Sequence, residues 1–299
     1  MKKSMRMTTI FLITSIYFFY INCEETAEVT YNYEFHTPKP ITTVGYDSHA
    51  MEPFISRDGQ YLFFNNSNDP SVNTNLHYTQ RIDDTTFQYM GEISGVNTDS
   101  LDGVASMDSL GNFYFITTRS YYSDTITVYG GIFDSGVVTD VEPIGQNLTL
   151  NELGWLEMDA EVSPSGNTLY FARAFFSGSD IPDSSDLFIA VKQGNQFVVS
   201  ENSEDMMKNI NSEHLEYAAS ITTDELEFFF TRADFSKIIP EMSVMIARRS
   251  SVSEPFGEPQ VISAIEGEAT EAPSITSDGK NLYFHKKLNG VFSVFVVSR

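Results

Sequence analysis

The chain has one cysteine, Cys23, and one tryptophan, Trp155. A single thiol excludes an intrachain disulfide framework and a zinc site built from cysteines. Basic residues are scarce: 18 Lys and Arg stand against 41 Asp and Glu, a net charge of −23. Such a surface repels phosphate backbones, which argues against DNA or RNA as a partner. The five histidines (His36, His49, His77, His214 and His285) show no paired metal-ligand spacing. There is no G-x-S-x-G elbow and no phosphate-cradling glycine loop. A convincing helical periodicity is also missing. What is abundant is aromatic, 24 Phe and 15 Tyr, a composition suited to β-sheets.

The N-terminus carries Lys2, Lys3 and Arg6 ahead of an apolar run from Ile10 to Ile21, the pattern of a secretory signal over residues 1–22. Cys23 follows at once. The arrangement resembles a bacterial lipoprotein signal, with Tyr20 and Asn22 departing from the usual box. That resemblance implies lipidation at Cys23 and a membrane anchor in the bacterial cell envelope, periplasmic or outer-membrane, with secretion as the outcome if Cys23 is not lipidated. Signal removal would leave 15 basic and 41 acidic residues, a net charge of −26. Residues 23–37 read as a polar tether and residues 38–299 as one folded domain.

The domain is built on a repeat. EPFISRDGQYLFF ends at Phe64, DGVASMDSLGNFYF at Phe115, DAEVSPSGNTLYF at Phe171, YAASITTDELEFFF at Phe230 and EAPSITSDGKNLYF at Phe284. The intervals are 51, 56, 59 and 54 residues, and a period of this size signals a solenoid, propeller or array. Each copy opens with two strands joined by a short turn. Copy four has Asp224-Glu225 in place of Asp-Gly, so a different turn is expected there. A third β-rich segment follows in every copy (75–82, 125–133, 186–193, 243–250, 292–299). A fourth follows in the first four (86–93, 137–144, 196–201, 258–265). Copy five ends at Arg299 without one, and residues 38–45 are free to supply it, so that no edge is left unpaired. The expected fold is all-β: a five-bladed propeller of four-stranded antiparallel blades, closed by an N-terminal strand.

The pattern acid-x-x-P-x-x-S-x-D-G-x-x-L-Y-F resembles the TolB-type propeller repeat, distantly similar to WD repeats. The resemblance covers nearly all of residues 45–299. It implies a propeller and leaves function open, because propellers host many activities.

In such a propeller the loops entering each inner strand, and those between second and third strands, surround one mouth of the channel. The entering loops carry 12 carboxylates and no Lys or Arg across residues 45–52, 97–102, 151–159, 211–216 and 266–271. One acid per copy (Glu52, Asp102, Asp159, Glu216, Glu271) reads as part of the repeat, able to pair with Arg119, Arg173, Arg232 or Lys286. The acids outside that pattern, Asp99, Glu157 and Glu213, with Trp155, Tyr121 and Phe175, are the ligand-binding candidates. They suggest a mouth for a protein, a peptide or a carbohydrate. No cofactor is called for. Ca²⁺ is the one metal with a candidate loop, where Asp180, Asp183 and Asp186 supply oxygen ligands.

The main expectation is a binding or scaffold propeller without catalysis. The alternative is a carbohydrate-active enzyme. Five-bladed glycosidases such as arabinanases place three carboxylates at the channel centre, and a resemblance to them would give the roles to Glu52, Asp102 and either Asp159 or Glu161. The chemistry needs an acid and a base on either side of the glycosidic bond.

Overall fold

The computed structural model describes residues 35–69, 72–237 and 240–299. The signal segment, Cys23 and most of the tether lie outside these residues. No helix among the described residues is long and apolar enough to cross a membrane.

Five antiparallel sheets form the ring. Blade 1 runs from its inner strand Met51–Ile55 through Tyr61–Asn65 and Leu76–Arg81 to Thr86–Glu92. Blade 2 uses Asp102–Met107, Asn112–Thr117, Val128–Asp134 and Val137–Pro143. Blade 3 uses Trp155–Val162, Thr168–Phe175, Ser184–Gln193 and Gln196–Val199. Blade 4 uses Leu215–Ile221, Glu227–Asp234, Glu241–Arg248 and the two-residue strand Gln260–Val261. Blade 5 uses Glu271–Ile275, Asn281–Leu288 and Val291–Ser298, and is completed by Lys39–Pro40. The expected five-bladed propeller is therefore the observed one.

The aromatic runs explain the packing. Successive side chains of a strand point to opposite faces, and here both faces of each second strand are covered by neighbouring blades. Phe63 of blade 1 packs with Phe113 and Phe133 of blade 2, whereas Leu62 and Phe64 pack with Tyr283 and Val294 of blade 5. Phe228 and Phe230 face blade 3 while Phe229 faces blade 5. Five apolar clusters result, one in each gap between blades.

The turns between first and second strands follow one design. Ser56, Asp108, Ser163, Thr222 and Thr276 each accept, through the side chain, the N–H of the residue that opens the second strand or lies next to it. Three residues on, Gly59, Gly111, Gly166 and Gly279 take positive φ. Copy four does not differ: Glu225 takes the same left-handed conformation at φ 58° and donates its N–H to Thr222 O at 2.9 Å. A non-glycine residue is strained there. Its carboxylate accepts from Tyr170 Oη at 2.8 Å and its carbonyl from Arg249 Nε at 2.8 Å, which offsets the strain.

Two short helices were not legible in the sequence. Tyr121–Asp124 lies between the second and third strands of blade 2, and Ser203–Met207 leads into blade 4. Neither is long enough to show a period, but Met207 and Ile210 are fully buried between blades 3 and 4.

The closing segment does more than complete blade 5. Lys39 and Pro40 pair antiparallel with Val296 and Phe295, and Thr42–Val44 then pairs parallel with Thr86–Gln88 at the outer edge of blade 1. The segment is a clasp across the joint where the chain ends meet. His36 N–H donates to Ser298 O, Ile41 N–H to Val294 O and Thr42 N–H to Thr85 O, at 2.8, 2.9 and 2.8 Å. At about 1 kcal/mol net per bond, deleting residues up to Val44 is expected to cost on the order of 3 kcal/mol. It also bares the Val291–Ser298 edge to association. Thermal unfolding and light scattering of the truncated protein check this; unchanged melting and a monodisperse monomer would reduce the clasp to a linker.

Candidate active site in the channel

Each inner strand breaks register once, between Met51 and Phe54, Gly103 and Ser106, Met158 and Glu161, Tyr217 and Ser220, and Glu271 and Ser274. At each break one non-glycine residue takes positive φ: Glu52, Val104, Asp159, Ala218 and Ala272. A bulge re-aims side chains, and such strain concentrates at functional sites. The five residues are the true equivalents around the ring, and only blades 1 and 3 place an acid there.

The one-acid-per-copy alignment therefore needs correction. Glu52 and Asp159 occupy the bulge. Asp102, Glu157 and Glu216 sit two residues earlier, and Glu271 one residue earlier. Asp102, Glu157 and Glu216 each bind the arginine near the end of the neighbouring strand. Arg119 Nη2 reaches Asp102 at 2.8 Å, Arg173 Nε reaches Glu157 at 3.1 Å and Arg232 Nε reaches Glu216 at 2.7 Å. The same guanidinium groups donate to the carbonyls of Val96, Leu148 and Ile210 in the preceding loops. These are ties between loop and blade. Asp102 thus leaves the group of channel carboxylates, and Glu157 leaves the mouth for a buried ion pair.

The remaining acids converge. Glu52, Asp159 and Glu271 are all buried. Glu271 Oε1 lies 3.2 Å from His285 Nε2, and its Oε2 accepts from Tyr217 Oη at 2.5 Å. His285 Nδ1 accepts the backbone N–H of Glu52 at 3.0 Å, so the ring proton sits on Nε2 and is donated to Glu271. Asn68 Nδ2 donates to Glu52 Oε1 at 2.7 Å, and Ala218 N–H to Asp159 Oδ2 at 3.3 Å. His285 is the residue that sequence reasoning missed. It faces Glu271 across the strand pair, a pairing visible only once the register of blade 5 is known.

Three carboxyls in one desolvated space cannot all ionise freely. Burial, then the charges of Asp159 and Glu271, push the Glu52 carboxyl well above the usual range, against the opposing Asn68 bond. Burial drives Asp159 up to about 7, opposed by the Ala218 N–H and aided by Glu271. Burial also acts on Glu271, but the hydrogen bonds from His285 and Tyr217 outweigh it and hold this carboxyl below its ordinary value. Tyr217 is held firmly as the phenol, by burial and by Glu271. Beneath the acids lies a cavity of about 30 Å³ lined by Glu52, Asp159, Glu161 and Ser274, room for about one water.

The far end of the channel is plugged. Arg57, in the first turn of blade 1, donates Nη2 to Glu161 Oε1 at 2.9 Å and to Val162 O at 2.5 Å, and Nε to Met107 O at 3.0 Å. Glu161 also accepts from Ser106 Oγ at 2.8 Å and Ile221 N–H at 3.4 Å, while Ser277 Oγ donates to Arg57 O at 2.6 Å. All five blades join this network.

Of the mouth candidates, Trp155 and Phe175 pack with ring centroids 5.0 Å apart, and the adjoining Gly154 N–H donates to Tyr121 Oη at 2.7 Å. The three aromatics therefore form one corner beside the blade 3 entrance. Tyr121 is buried there, while Asp99 and Glu213 are exposed on separate loops. Among the described residues, the donors that converge closely enough for a single cation are Glu52, Glu271 and His285, within 4.8 Å of one another. Asp180, Asp183 and Asp186 do not form such a group; Asp183 Oδ2 instead accepts the Ser177 N–H at 2.8 Å.

No protein-family model matches the sequence, and no curated protein matches it. Solved structures do share the fold. A chain described as a glycoside hydrolase superposes with a TM-score of 0.61 at 8% identity, over 89% of this chain and 92% of that one. The endo-arabinase of Bacteroides thetaiotaomicron gives 0.57 at 12%, over 87% and 97%. Zg3597, a family 117 glycoside hydrolase of Zobellia galactanivorans, gives 0.57 at 11%, over 89% and 90%. TolB of Acinetobacter baumannii is also among the structural neighbours, with a TM-score of 0.45 at 10% identity, over 84% of this chain and 55% of that one. At these identities the relation is one of fold. The main expectation of a non-catalytic binding or scaffold module is nevertheless corrected: several of the chains matched over 90% or more of their length are described as glycoside hydrolases or arabinan-cleaving enzymes, which favours the alternative reading.

Proposed function

We propose that the protein is a glycoside hydrolase that works through its channel carboxylates. The observation that carries this reading is the convergence of three buried carboxyls from blades 1, 3 and 5, with Glu52 within 4.8 Å of Glu271 and lining one cavity with Asp159. Glu52, whose carboxyl is pushed well above the usual range by burial and by its acidic neighbours, serves as general acid to the departing glycosidic oxygen. Asp159, poised near neutrality, serves as base toward a water, and the one-water cavity beside both residues fits that role. Glu271 stays ionised through His285 and Tyr217, and its charge keeps the Glu52 proton in place. The set is Glu52, Asp159 and Glu271, with Glu271 in the position that sequence reasoning gave to Asp102. The half-buried pair Trp155 and Phe175, backed by Tyr121, supplies a surface on which a sugar chain entering the mouth can stack.

The fold relatives suggest where to begin the search for substrate: they include an endo-arabinase, an α-L-arabinofuranosidase and a putative exo-β-1,3-galactanase. The test is release of reducing sugar from arabinans, galactans and aryl glycosides. Glu52→Gln and Asp159→Asn are each expected to lower kcat by roughly 10²–10⁴-fold, while Asp84→Asn, exposed in the outer turn of blade 1, leaves it unchanged. Failure to cleave any of these glycans, or full activity in Glu52→Gln, would overturn the assignment.

The signal-like N-terminus supports a cell-envelope location with a lipid anchor at Cys23. Cys23→Ala is expected to move the protein from the membrane fraction to the soluble one, because each buried CH₂ of the anchor contributes about 0.8 kcal/mol. An unchanged membrane fraction would sink the idea.

A further inference from the structure

A chain of two amides holds the side chain of Glu52. Asn65 ends the second strand of blade 1, and Asn68 follows in the loop. Asn68 Nδ2 donates to Glu52 Oε1 at 2.7 Å. Asn65 Nδ2 donates to Asn68 Oδ1 at 2.7 Å and to Ser67 O at 2.8 Å. Asn65 Oδ1 in turn accepts the backbone N–H of Val104 at 3.3 Å. Val104 is the bulge residue of blade 2, so the chain runs from that bulge to the one that carries Glu52. Its polarity is set at the Val104 end. A carboxamide has an oxygen that accepts and a nitrogen that donates, and its partners decide which way it points. The Val104 N–H can only donate. It takes the Asn65 oxygen, which turns the Asn65 nitrogen to the Asn68 oxygen and the Asn68 nitrogen to Glu52. Asn65 is 1% exposed, and Gly103 packs so closely that an added Cβ would lie 3.4 Å from its carboxamide carbon. An N–H aimed at Oε1 makes that oxygen the acceptor and leaves the proton of the acid to Oε2. In the reversed orientation the Asn68 oxygen would face Glu52 and draw that proton to itself.

We propose that Asn68, oriented by Asn65, is a positioning residue that fixes Oε2 of Glu52 as the oxygen delivering the proton to the substrate. The inference rests on the reading of Glu52 as the general acid. As the bond between the anomeric carbon and the glycosidic oxygen breaks, its electron pair stays with the departing oxygen, which takes the proton from Oε2. The carboxylate left behind keeps its bond from Asn68.

The test varies the leaving group. Phenolate needs the proton to depart and 2,4-dinitrophenolate does not, so the substrates are the phenyl and 2,4-dinitrophenyl glycosides of L-arabinofuranose and D-galactose. Asn68→Ala is expected to lower kcat on the phenyl glycoside roughly tenfold, the effect of one hydrogen bond, with KM unchanged. It should leave the 2,4-dinitrophenyl glycoside at the parent rate. The ratio of the two rates does not depend on how much of a variant is folded. Asn65→Asp keeps the size and the acceptor for the Val104 N–H but cannot donate to Asn68, and it should reproduce the same split. Equal slowing of both glycosides, or an unchanged phenyl rate in Asn68→Ala where Glu52→Gln lowers it, would overturn the positioning role and leave the hydrolase reading standing. Full activity of Glu52→Gln, or no turnover of either pair of glycosides, would remove the acid itself and this inference with it.

Discussion

Arg57→Ala is expected to destabilise the propeller by about 3–5 kcal/mol, the cost of stranding one partner of a buried ion pair. At a few degrees per kcal/mol for a chain of this size, the melting temperature should fall by roughly 10 °C. The side chains of Arg57 and Glu161 are 6% and 4% exposed, so water cannot replace the lost partner. Removing the guanidinium also frees the carbonyls of Met107 and Val162, which belong to blades 2 and 3. The ring is thereby weakened at the point where all its blades meet. The double variant Arg57→Met with Glu161→Leu separates charge from packing. Replacing both members of a buried pair by apolar groups is often close to neutral, so the double variant should recover much of what Arg57→Ala loses. Equal melting of Arg57→Ala and the parent protein would show that the plug contributes nothing.

The architecture was legible because it rests on repetition. Five aromatic runs at a steady period fixed the blade count, and the missing last strand pointed to the N-terminal segment. The second half of that segment, Thr42–Val44, was hidden. Three residues added parallel to an outer edge leave no alternating pattern to read.

The channel was legible only in part, and the reason is register. Aligning copies on the aromatic run treats the inner strand as regular. Counting back from the turn-capping side chain gives a different frame: Glu52 and Asp159 stand four residues before Ser56 and Ser163, Glu271 five before Thr276, and Asp102 and Glu216 six before Asp108 and Thr222. Those offsets separate bulge acids from arginine partners. The bulge makes the difference matter, because one residue of slip turns a strand's side chains to the other face. The closeness of Trp155, Phe175 and Tyr121 could be read from the adjacency of their loops. His285 was missed because its importance depends on a cross-strand partner.

Between pH 5 and pH 8 the protein is expected to lose stability, and Asp159→Asn is expected to remove a large part of that loss. The carboxyl of Asp159 has a folded pKa of about 7 against an ordinary value of 3.8. A raised carboxyl favours the fold while it is protonated. Its contribution is complete below about pH 4 and is lost as pH rises to about 7. The whole difference corresponds to on the order of 4 kcal/mol, of which about 3 kcal/mol falls between pH 5 and pH 7, or roughly 10 °C in melting temperature. Glu52, raised by the same burial, acts in the same direction. Glu271 and Glu227, whose carboxyls are held low, lose their contribution only as pH falls below the ordinary carboxylate range, outside this window. His77 opposes the trend. Burial lowers its pKa, so its contribution falls as pH drops through 6.5. Comparing the variant with the parent cancels His77 and leaves the channel. Asn at position 159 keeps an oxygen to accept the Ala218 N–H but carries no charge, so the lead of the variant over the parent in melting temperature should grow from pH 5 to pH 8. Melting curves measured across that range decide the matter. If the two proteins run parallel from pH 5 to pH 8, Asp159 is not a desolvated acid, and the base it supplies to the proposed hydrolysis is lost with it.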